Sequence, residues 1–285
     1  MLVSKKQKTE QWLFNHPELK LQCIHCQKLL RYDNGSLKCI NGHSFDITKQ
    51  GYFNLAKTSS NTQYMHELFT VRRRIIMSSN FYDPLHEKLR EIIKSNKIQT
   101  ILDAGSGEGS HLFRLLQEIP NVIGVGVDLS KEGIRLATDY NDIQLSLVAD
   151  LSRLPIMNQS MDCILSILSP SNYDEFFRVM SSDGLMIKVI PNEKYLIEIR
   201  QTMAKLSLKE YHAYENYDVV NVFSKHFDEY HTDHIYRKVP LSLEEKFAIT
   251  KMTPLTWSLS EIEQEAVANN LPDEITLDLL ILYNC

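Results

Sequence analysis

The sequence predicts an α/β fold: a wound, Rossmann-like domain built on a parallel sheet, preceded by a small metal-binding module. Three observations predict it. From Gln99 onward, apolar runs alternate with amphipathic stretches. A glycine-rich turn, Gly105 to Gly109, stands where the first of those runs gives way to a helical pattern. Near the N-terminus, three cysteines and a histidine fall at metal-ligand spacing.

The α/β zone reads in order. Buried strands are expected at Thr100–Asp103, Val122–Asp128, Leu145–Ala149, Cys163–Leu168 and Leu185–Ile190. Helical stretches lie between most of them, at Ser110–Glu118, Lys131–Asp139 and Asp174–Met180, and Glu193–Lys205 follows the fifth strand. Two later strands, Tyr230–Pro240 and Glu274–Tyr283, flank a helix around Leu259–Ala268. Asn61 to Asn96 is helical and Arg-rich, with Arg72, Arg73 and Arg74 in a row. Cys163 lies in an apolar strand and reads as core.

Composition bounds the class. A chain of 285 residues with 43% hydrophobic and 24% charged residues can bury a real core. No stretch approaches the roughly 20 apolar residues that span a bilayer, so no membrane partner is expected. The N-terminus is polar and carries Lys5, Lys6 and Lys8, unlike a secretory leader. A cytoplasmic location is therefore expected, with reduced cysteines available to metal. The net charge of -5 is unevenly spread: residues 1–100 carry +8 and residues 101–285 carry -13. That asymmetry points the basic part toward a polyanion.

The metal motif is Cys23-x2-Cys26-x12-Cys39-x3-His43. Three thiolates and one imidazole fill a tetrahedral zinc shell and leave no open position, so the site is structural. His25 lies inside the knuckle and competes on paper, but His43 has the better spacing. A module of about 35 residues is too small to hold a core unaided, so zinc supplies part of its folding energy.

In the α/β zone the strongest motif is Leu102-Asp103-Ala104-Gly105-Ser106-Gly107-Glu108-Gly109. Glycines at a strand-to-helix turn let backbone approach a ligand. A dinucleotide fingerprint would place its third glycine at position 110, where Ser110 stands. Asp103 at the loop entrance would repel a pyrophosphate and attract a ligand with a free amino group. The loop therefore suits S-adenosylmethionine better than NAD. Asp128 ends the second strand in Val127-Asp128-Leu129-Ser130, where a carboxylate accepts ribose hydroxyls; its bland role would be a helix cap, for which Ser130 is better placed. Asp150 ends the third strand and reads equally as a contact to the adenine amino group or as a turn residue. Ser169 and Pro170 follow the fourth strand at the carboxyl edge of the sheet, where substrates bind. No catalytic base is legible, and Asp150, Ser169 and Pro170 are the substrate-site candidates.

With these motifs in place, the chain resembles the 23S ribosomal RNA guanine-N1 methyltransferases, bacterial enzymes with an N-terminal zinc module. The resemblance runs from about Leu21 to the end. It rests on Cys23 to Cys26, on Cys39-Ile40-Asn41-Gly42-His43-Ser44-Phe45-Asp46 and on Gly51-Tyr52-Phe53-Asn54-Leu55. It continues through Arg72-Arg73, Phe81-Tyr82-Asp83-Pro84-Leu85, the glycine loop and Met252-Thr253-Pro254-Leu255-Thr256-Trp257. It implies a class I methyltransferase domain, a homodimer, and an RNA hairpin gripped by the zinc module and Arg72, Arg73 and Arg74. The expected cofactor contacts are Tyr82, Asp103, Gly105, Ser106, Gly107, Gly109, Ser110, Asp128, Leu129, Asp150 and Tyr195, of which the resemblance adds Tyr82 and Tyr195 to those read from the motifs. Tyr195 stands in the stretch where the family has a histidine, and Ser106 where it commonly has a cysteine. The acidic residue expected near Gln63-Tyr64-Met65 is missing.

On this reading residues 1–60 form a zinc-binding RNA-recognition module and 61–97 a helical connector. Residues 98–285 form the S-adenosylmethionine-binding methyltransferase domain. The reaction expected is methyl transfer to guanine N1 in a 23S ribosomal RNA hairpin. The alternative is a methyltransferase acting on a small molecule or another RNA.

Overall fold

The structure, a computed structural model, describes residues 3–57 and 65–284. The boundary expected near residue 60 lies outside the described residues, as do Gln63, Tyr64 and Cys285. Helix α1 (Lys5–Asn15) precedes five short strands: β1 (Leu21–Gln22), β2 (Leu29–Asp33), β3 (Ser36–Cys39), β4 (Ser44–Asp46) and β5 (Phe53–Asn54). Helices α2 (Met65–Ser78) and α3 (Asp83–Ser95) follow. Strand and helix then alternate through β6 (Thr100–Ala104), α4 (Ser110–Leu116), β7 (Ile123–Asp128), α5 (Lys131–Ala137), β8 (Gln144–Val148), β9 (Met161–Ile167), α6 (Tyr173–Val179) and β10 (Met180–Pro191). The remainder is α7 (Ile197–Lys205), α8 (Tyr217–Ser224), β11 (Tyr230–Pro240), α9 (Leu243–Met252), α10 (Glu261–Asn270) and β12 (Glu274–Asn284).

These elements form two compact units, Met1–Met65 with Leu89–Ile187, and His66–Lys88 with Lys188–Cys285. The first holds a parallel sheet in the order β9-β6-β7-β8-β5. Strands β6 to β9 are buried along nearly their whole length, as their near-continuous apolar runs require. Cys163 lies at zero exposure in β9, and burial pushes its thiol far up. The wound α/β domain expected from the sequence is present, with strand ends within a few residues of those expected.

Two features of this unit are not apparent in the sequence. The polar N-terminus forms α1, closed by a capping box between Ser4 and Gln7. It is fixed from below: Thr9 Oγ1 donates to the Gly51 carbonyl (2.7 Å), and Asn141 Nδ2 donates to Thr9 Oγ1 (2.6 Å) and to Gly51 O (2.7 Å). Gly51 has φ +83°, and a Cβ there would lie 2.7 Å from the Lys5 carbonyl oxygen. Second, the Gly-Tyr-Phe-Asn-Leu motif leaves the metal-binding module and becomes β5, pairing parallel with β8 through Phe53↔Leu147 and Asn54↔Val148.

The module itself is a four-stranded antiparallel sheet, β1-β2-β3-β4. Its first strand adds to the segment that follows β8. Gln22 N donates to Pro155 O, Met157 N donates to Lys20 O (both 2.9 Å), and Leu21 bridges Ile156 antiparallel.

In the second unit, β11 and β12 form an antiparallel ladder from Tyr230↔Asn284 to Pro240↔Glu274. Helices α9 and α10 lie between them in sequence and pack on each other, each opened by a capping box, Ser242 with Glu245 and Ser260 with Glu263. The Met252–Trp257 stretch ends α9 and turns on Thr253, whose side chain accepts from Leu255 N. The helical zone before residue 97 is broken in two, because Ser79 Oγ donates to the Ile75 carbonyl (2.6 Å) and accepts from Phe81 N (3.3 Å).

The Asn141 bonds generate the first prediction. Asn141→Ala strips the buried Thr9 hydroxyl of its donor and the Gly51 carbonyl of one of its two, and should cost about 1–3 kcal/mol of stability. Urea unfolding measures it, and a midpoint equal to the wild type would contradict the role given to this contact.

Candidate functional site

The first unit carries two built sites. In the module, the turn after β1 holds Cys23 and Cys26, and the turn after β3 holds Cys39 and His43. The first turn closes through Gln27 N to Cys23 O (2.8 Å), with Gln27 at φ +60°. The second closes through Gly42 N to Cys39 O (3.0 Å), with Gly42 at φ +82°. These turns bring Cys26 Sγ to 3.6 Å from Cys39 Sγ, and His43 Nδ1 to 3.5 and 3.3 Å from the Cys23 and Cys39 sulfurs. All four donor atoms lie within 4.8 Å of one another. A tetrahedral zinc with bonds of about 2.3 Å to sulfur needs sulfurs about 3.8 Å apart, so the set fits zinc. His25 is not a member; its ring stacks on Phe45 at 5.6 Å. The Lys28 backbone N–H lowers the Cys26 thiol to about 6, while burial raises that of Cys23.

The second site is the β6–α4 turn. Gly105 N and Ser106 N both donate to Val127 O, at 2.9 and 3.0 Å. Gly107 N donates to Asp128 Oδ2 (2.8 Å), and Ser130 N donates to Asp128 Oδ1 (2.7 Å). Gly105, Gly107 and Gly109 have φ of +86°, +59° and +76°. At Gly105 a Cβ would sit 2.6 Å from the Ser169 Cβ, so glycine alone fits between the turn and the end of β9. The cap of α5 is Ser130, which accepts from Gly133 N, so Asp128 is released from that duty.

The other expected positions divide. Asp103 is buried at the end of β6 (2% exposed), and Leu129 is half-buried beside Asp128. Ser110 is fully buried, its Oγ 3.2 Å from the Tyr140 hydroxyl. Asp150 accepts from Ser152 N (2.8 Å) and so makes a turn. Ser169 Oγ donates to Ala104 O (2.7 Å), tying the ends of β9 and β6 together, and Pro170 next to it is exposed. Tyr82 and Tyr195 belong to the second unit, with hydroxyls 2.7 Å apart. Burial first, then the neighbouring Tyr82, holds the Tyr195 phenol well above the ordinary tyrosine range. Arg74 pairs with Glu244 at 2.6 Å, and Arg72 and Arg73 are half-buried on α2. Three consecutive helical residues spread over about 200° of helix surface, so the three cannot share one face.

Sequence reasoning missed one residue. Arg178 of α6 donates to Gln22 Oε1 in the module (3.0 Å) and to the carbonyls of Ile156 (2.8 Å) and Leu154 (2.9 Å). Its Nε and NH2 also meet Glu175, at 2.8 and 2.7 Å. In the sequence, Glu175 and Arg178 look like an ordinary exposed i,i+3 helix pair.

A wound sheet with this glycine turn, an acidic second-strand end and a zinc-binding ribbon defines an S-adenosylmethionine-dependent class I methyltransferase with a structural zinc module. Comparison with known proteins narrows the class. A family model described as RlmA, N-terminal, a zinc ribbon, matches residues 21–57, and one described as methyltransferase domain matches residues 101–184. The chain is 36% identical over 272 residues to YxjB of Bacillus subtilis (strain 168), provisionally named a 23S rRNA (guanine-N(1)-)-methyltransferase, covering 92% of this chain and 95% of that one. It is 26% identical over 266 residues to the 23S rRNA (guanine(748)-N(1))-methyltransferase of Streptomyces fradiae, covering 91% and 94%. The chain belongs to the 23S ribosomal RNA guanine-N1 methyltransferase family. Among the described residues, no helix is long and apolar enough to cross a membrane.

Protons and zinc compete for the same thiolates. Chelator-driven zinc release, followed by a colorimetric indicator, should therefore accelerate as pH falls, because each thiolate takes up a proton as it leaves the metal. Release independent of pH between about 8 and 5 would exclude these thiolates as the ligands.

Proposed function

We propose that the enzyme transfers the methyl group of S-adenosylmethionine to N1 of a guanine in a 23S ribosomal RNA hairpin loop. The observation that carries this reading is the presence, in one compact unit, of a tetrahedral zinc ribbon and a glycine turn clamped by Asp128. The Bacillus and Streptomyces relatives bear names for this reaction, the latter at guanine 748.

Asp128 is the ribose-binding residue of this reading. Each of its oxygens accepts one backbone N–H and keeps a lone pair for a ribose hydroxyl. Gly105, Ser106, Gly107 and Gly109 admit the cofactor to the backbone, and Asp103 draws its amino group. Leu129 and Asp150 flank the adenosine. Ser110 supports the turn from beneath, through Tyr140. Ser169 and Pro170 line the place of transfer. When bound, S-adenosylmethionine supplies a methyl group on a sulfonium, and the guanine N1 electron pair forms the new C–N bond as the C–S bond breaks. The N1 proton must leave, and N1 lies on the pairing edge, so the base has to be unpaired or flipped out. Rate then comes mainly from positioning.

The zinc ribbon grips the hairpin by phosphate and shape, with Arg72, Arg73 and Arg74 as further candidates. Tyr82 and Tyr195 enter the reading as cofactor contacts through the family resemblance alone. The same resemblance supports a homodimer, which sedimentation tests, in the cytoplasm.

The test is transfer from labelled S-adenosylmethionine to large-subunit ribosomal RNA that lacks this modification, with the product nucleoside identified. Labelled 1-methylguanosine is expected. Asp128→Ala, which loses two charge-assisted bonds, should weaken cofactor binding about 10- to 100-fold. Cofactor binding without transfer to RNA would move the assignment to a small-molecule substrate.

A further inference from the structure

The first unit contains a cleft of about 430 Å³ between the zinc knuckle and α6. That volume falls within the range of about 300–1,000 Å³ typical of small-ligand sites. Ile24, Leu154 and Met157 give it an apolar wall; Ile24 and Leu154 are buried and Met157 is half-buried. Lys28 and Asn158 stand exposed at its rim, with Arg153 half-buried beside them.

The charges in this cleft are not balanced locally. Its one carboxylate, Glu175, is consumed: Arg178 takes both oxygens, and Leu154 N donates to one of them at 2.8 Å. Arg178 in turn is satisfied by Glu175, Gln22, Asn158 and two carbonyls. The Cys26 thiolate also lines the cleft; three thiolates and a neutral imidazole on zinc leave a net charge of about −1 spread over the metal site, against the two cations Lys28 and Arg153. Neither Lys28 nor Arg153 has a carboxylate within ion-pair distance among the described residues. Two cations thus face a cavity beside an apolar wall, with amide groups at the rim. This combination fits a ligand with an anionic group attached to a flat, partly apolar body that carries hydrogen-bonding edges.

Arg153 lies three residues past Asp150, in the loop that leaves the carboxyl end of β8. That edge of a wound sheet is where such folds bind ligands.

We propose that this cleft takes one unpaired nucleotide of the RNA substrate, its phosphate held by Lys28 and Arg153 and its base against Met157. The proposal rests on the RNA-methyltransferase reading above and names a contact point within it. Single-stranded loops are the RNA elements whose bases are free to enter such a cleft.

The experiment is a filter-binding titration of the zinc-loaded, full-length protein with an unmodified large-subunit hairpin transcript, across a salt series. Arg153→Ala and Lys28→Ala should each weaken binding about tenfold and lower the salt slope by about 0.7 per lost phosphate contact. Met157→Trp keeps both cations but fills the cleft; it should weaken binding about tenfold with the slope unchanged. Where Met157→Trp does not fold, Asn158→Trp blocks the same space. Zinc content and S-adenosylmethionine affinity should match the wild type in every variant. Affinities within twofold of the wild type for both Arg153→Ala and the cleft-filling variant would overturn the proposal. So would equal losses by Arg153→Ala on the hairpin and on an unrelated duplex, with no effect of filling the cleft, because that marks surface charge alone. Methyl transfer by the wild type is measured in parallel. Transfer that continues while the cleft variants bind normally removes only this proposal, whereas absent transfer removes the reading beneath it.

Discussion

The binding end of the first unit depends on one constraint: the β6–α4 connection must reverse without burying unanswered amides. Two consecutive residues of β7 meet it. Val127 O accepts from Gly105 and Ser106, and the Asp128 carboxylate accepts from Gly107. The neighbouring strand is therefore the template on which the glycine turn is laid. A buried amide left without a partner costs about 1–3 kcal/mol, so this template decides the shape of the turn more firmly than glycine flexibility does. Gly126, one residue before Val127, is part of the same arrangement, because a Cβ there would press to 2.9 Å from Ser106 Oγ. Asp128 consequently has two tasks, shaping the turn and presenting oxygens to a ligand. The Ser130 bond holds it still for both.

The zinc ribbon is tied to this end of the sheet by its entry and by its exit. On entry, Lys20 and Gln22 exchange backbone bonds with Pro155 and Met157. On exit, Phe53 and Asn54 become the edge strand beside β8. Between these ties the ribbon has only short strands and a small apolar interior, and zinc supplies the remaining cohesion. Arg178 adds a side-chain tie, spanning Gln22 in the ribbon and the carbonyls of Leu154 and Ile156. Fixed in this way, the ribbon is a rigid extension of the first unit, and on the proposed reading it would lose little conformational entropy on meeting RNA.

What the sequence makes legible follows from how strongly each signal is local. The parallel strands announce themselves as apolar runs because both of their faces are covered. Cys23, Cys26, Cys39 and His43 are legible because zinc chemistry fixes their types and their spacing. Helix α1 is not, since only Thr9, Trp12 and Leu13 of its eleven residues are buried and the rest read as a polar leader. Strand β10 begins at Met180, five residues before the apolar run at Leu185, because Ser181, Asp183 and Gly184 extend the pairing without hydrophobicity. Arg178 and Asn141 are invisible for another reason. Their partners lie 156 and 132 residues away, and nothing in a local window marks a polar side chain as the centre of a long-range network.

The charge asymmetry along the chain shows the same limit. Read linearly, a basic first hundred residues suggests a surface waiting for a polyanion. In the folded first unit, several of those cations already face acids from later in the chain. Lys5 pairs with Asp139, Lys8 with Asp142 and Arg90 with Glu118. In the second unit Arg74 pairs with Glu244. Such partly exposed pairs contribute little to stability, typically about 0–1 kcal/mol each. They nevertheless lower the charge offered to RNA, because each cation must give up a neighbour before it neutralises a phosphate. On the proposed reading, the cations best placed to meet RNA are therefore those that the fold leaves unspent. Lys28 and Arg153 meet that condition and line one cleft, although only the first belongs to the basic stretch of the sequence.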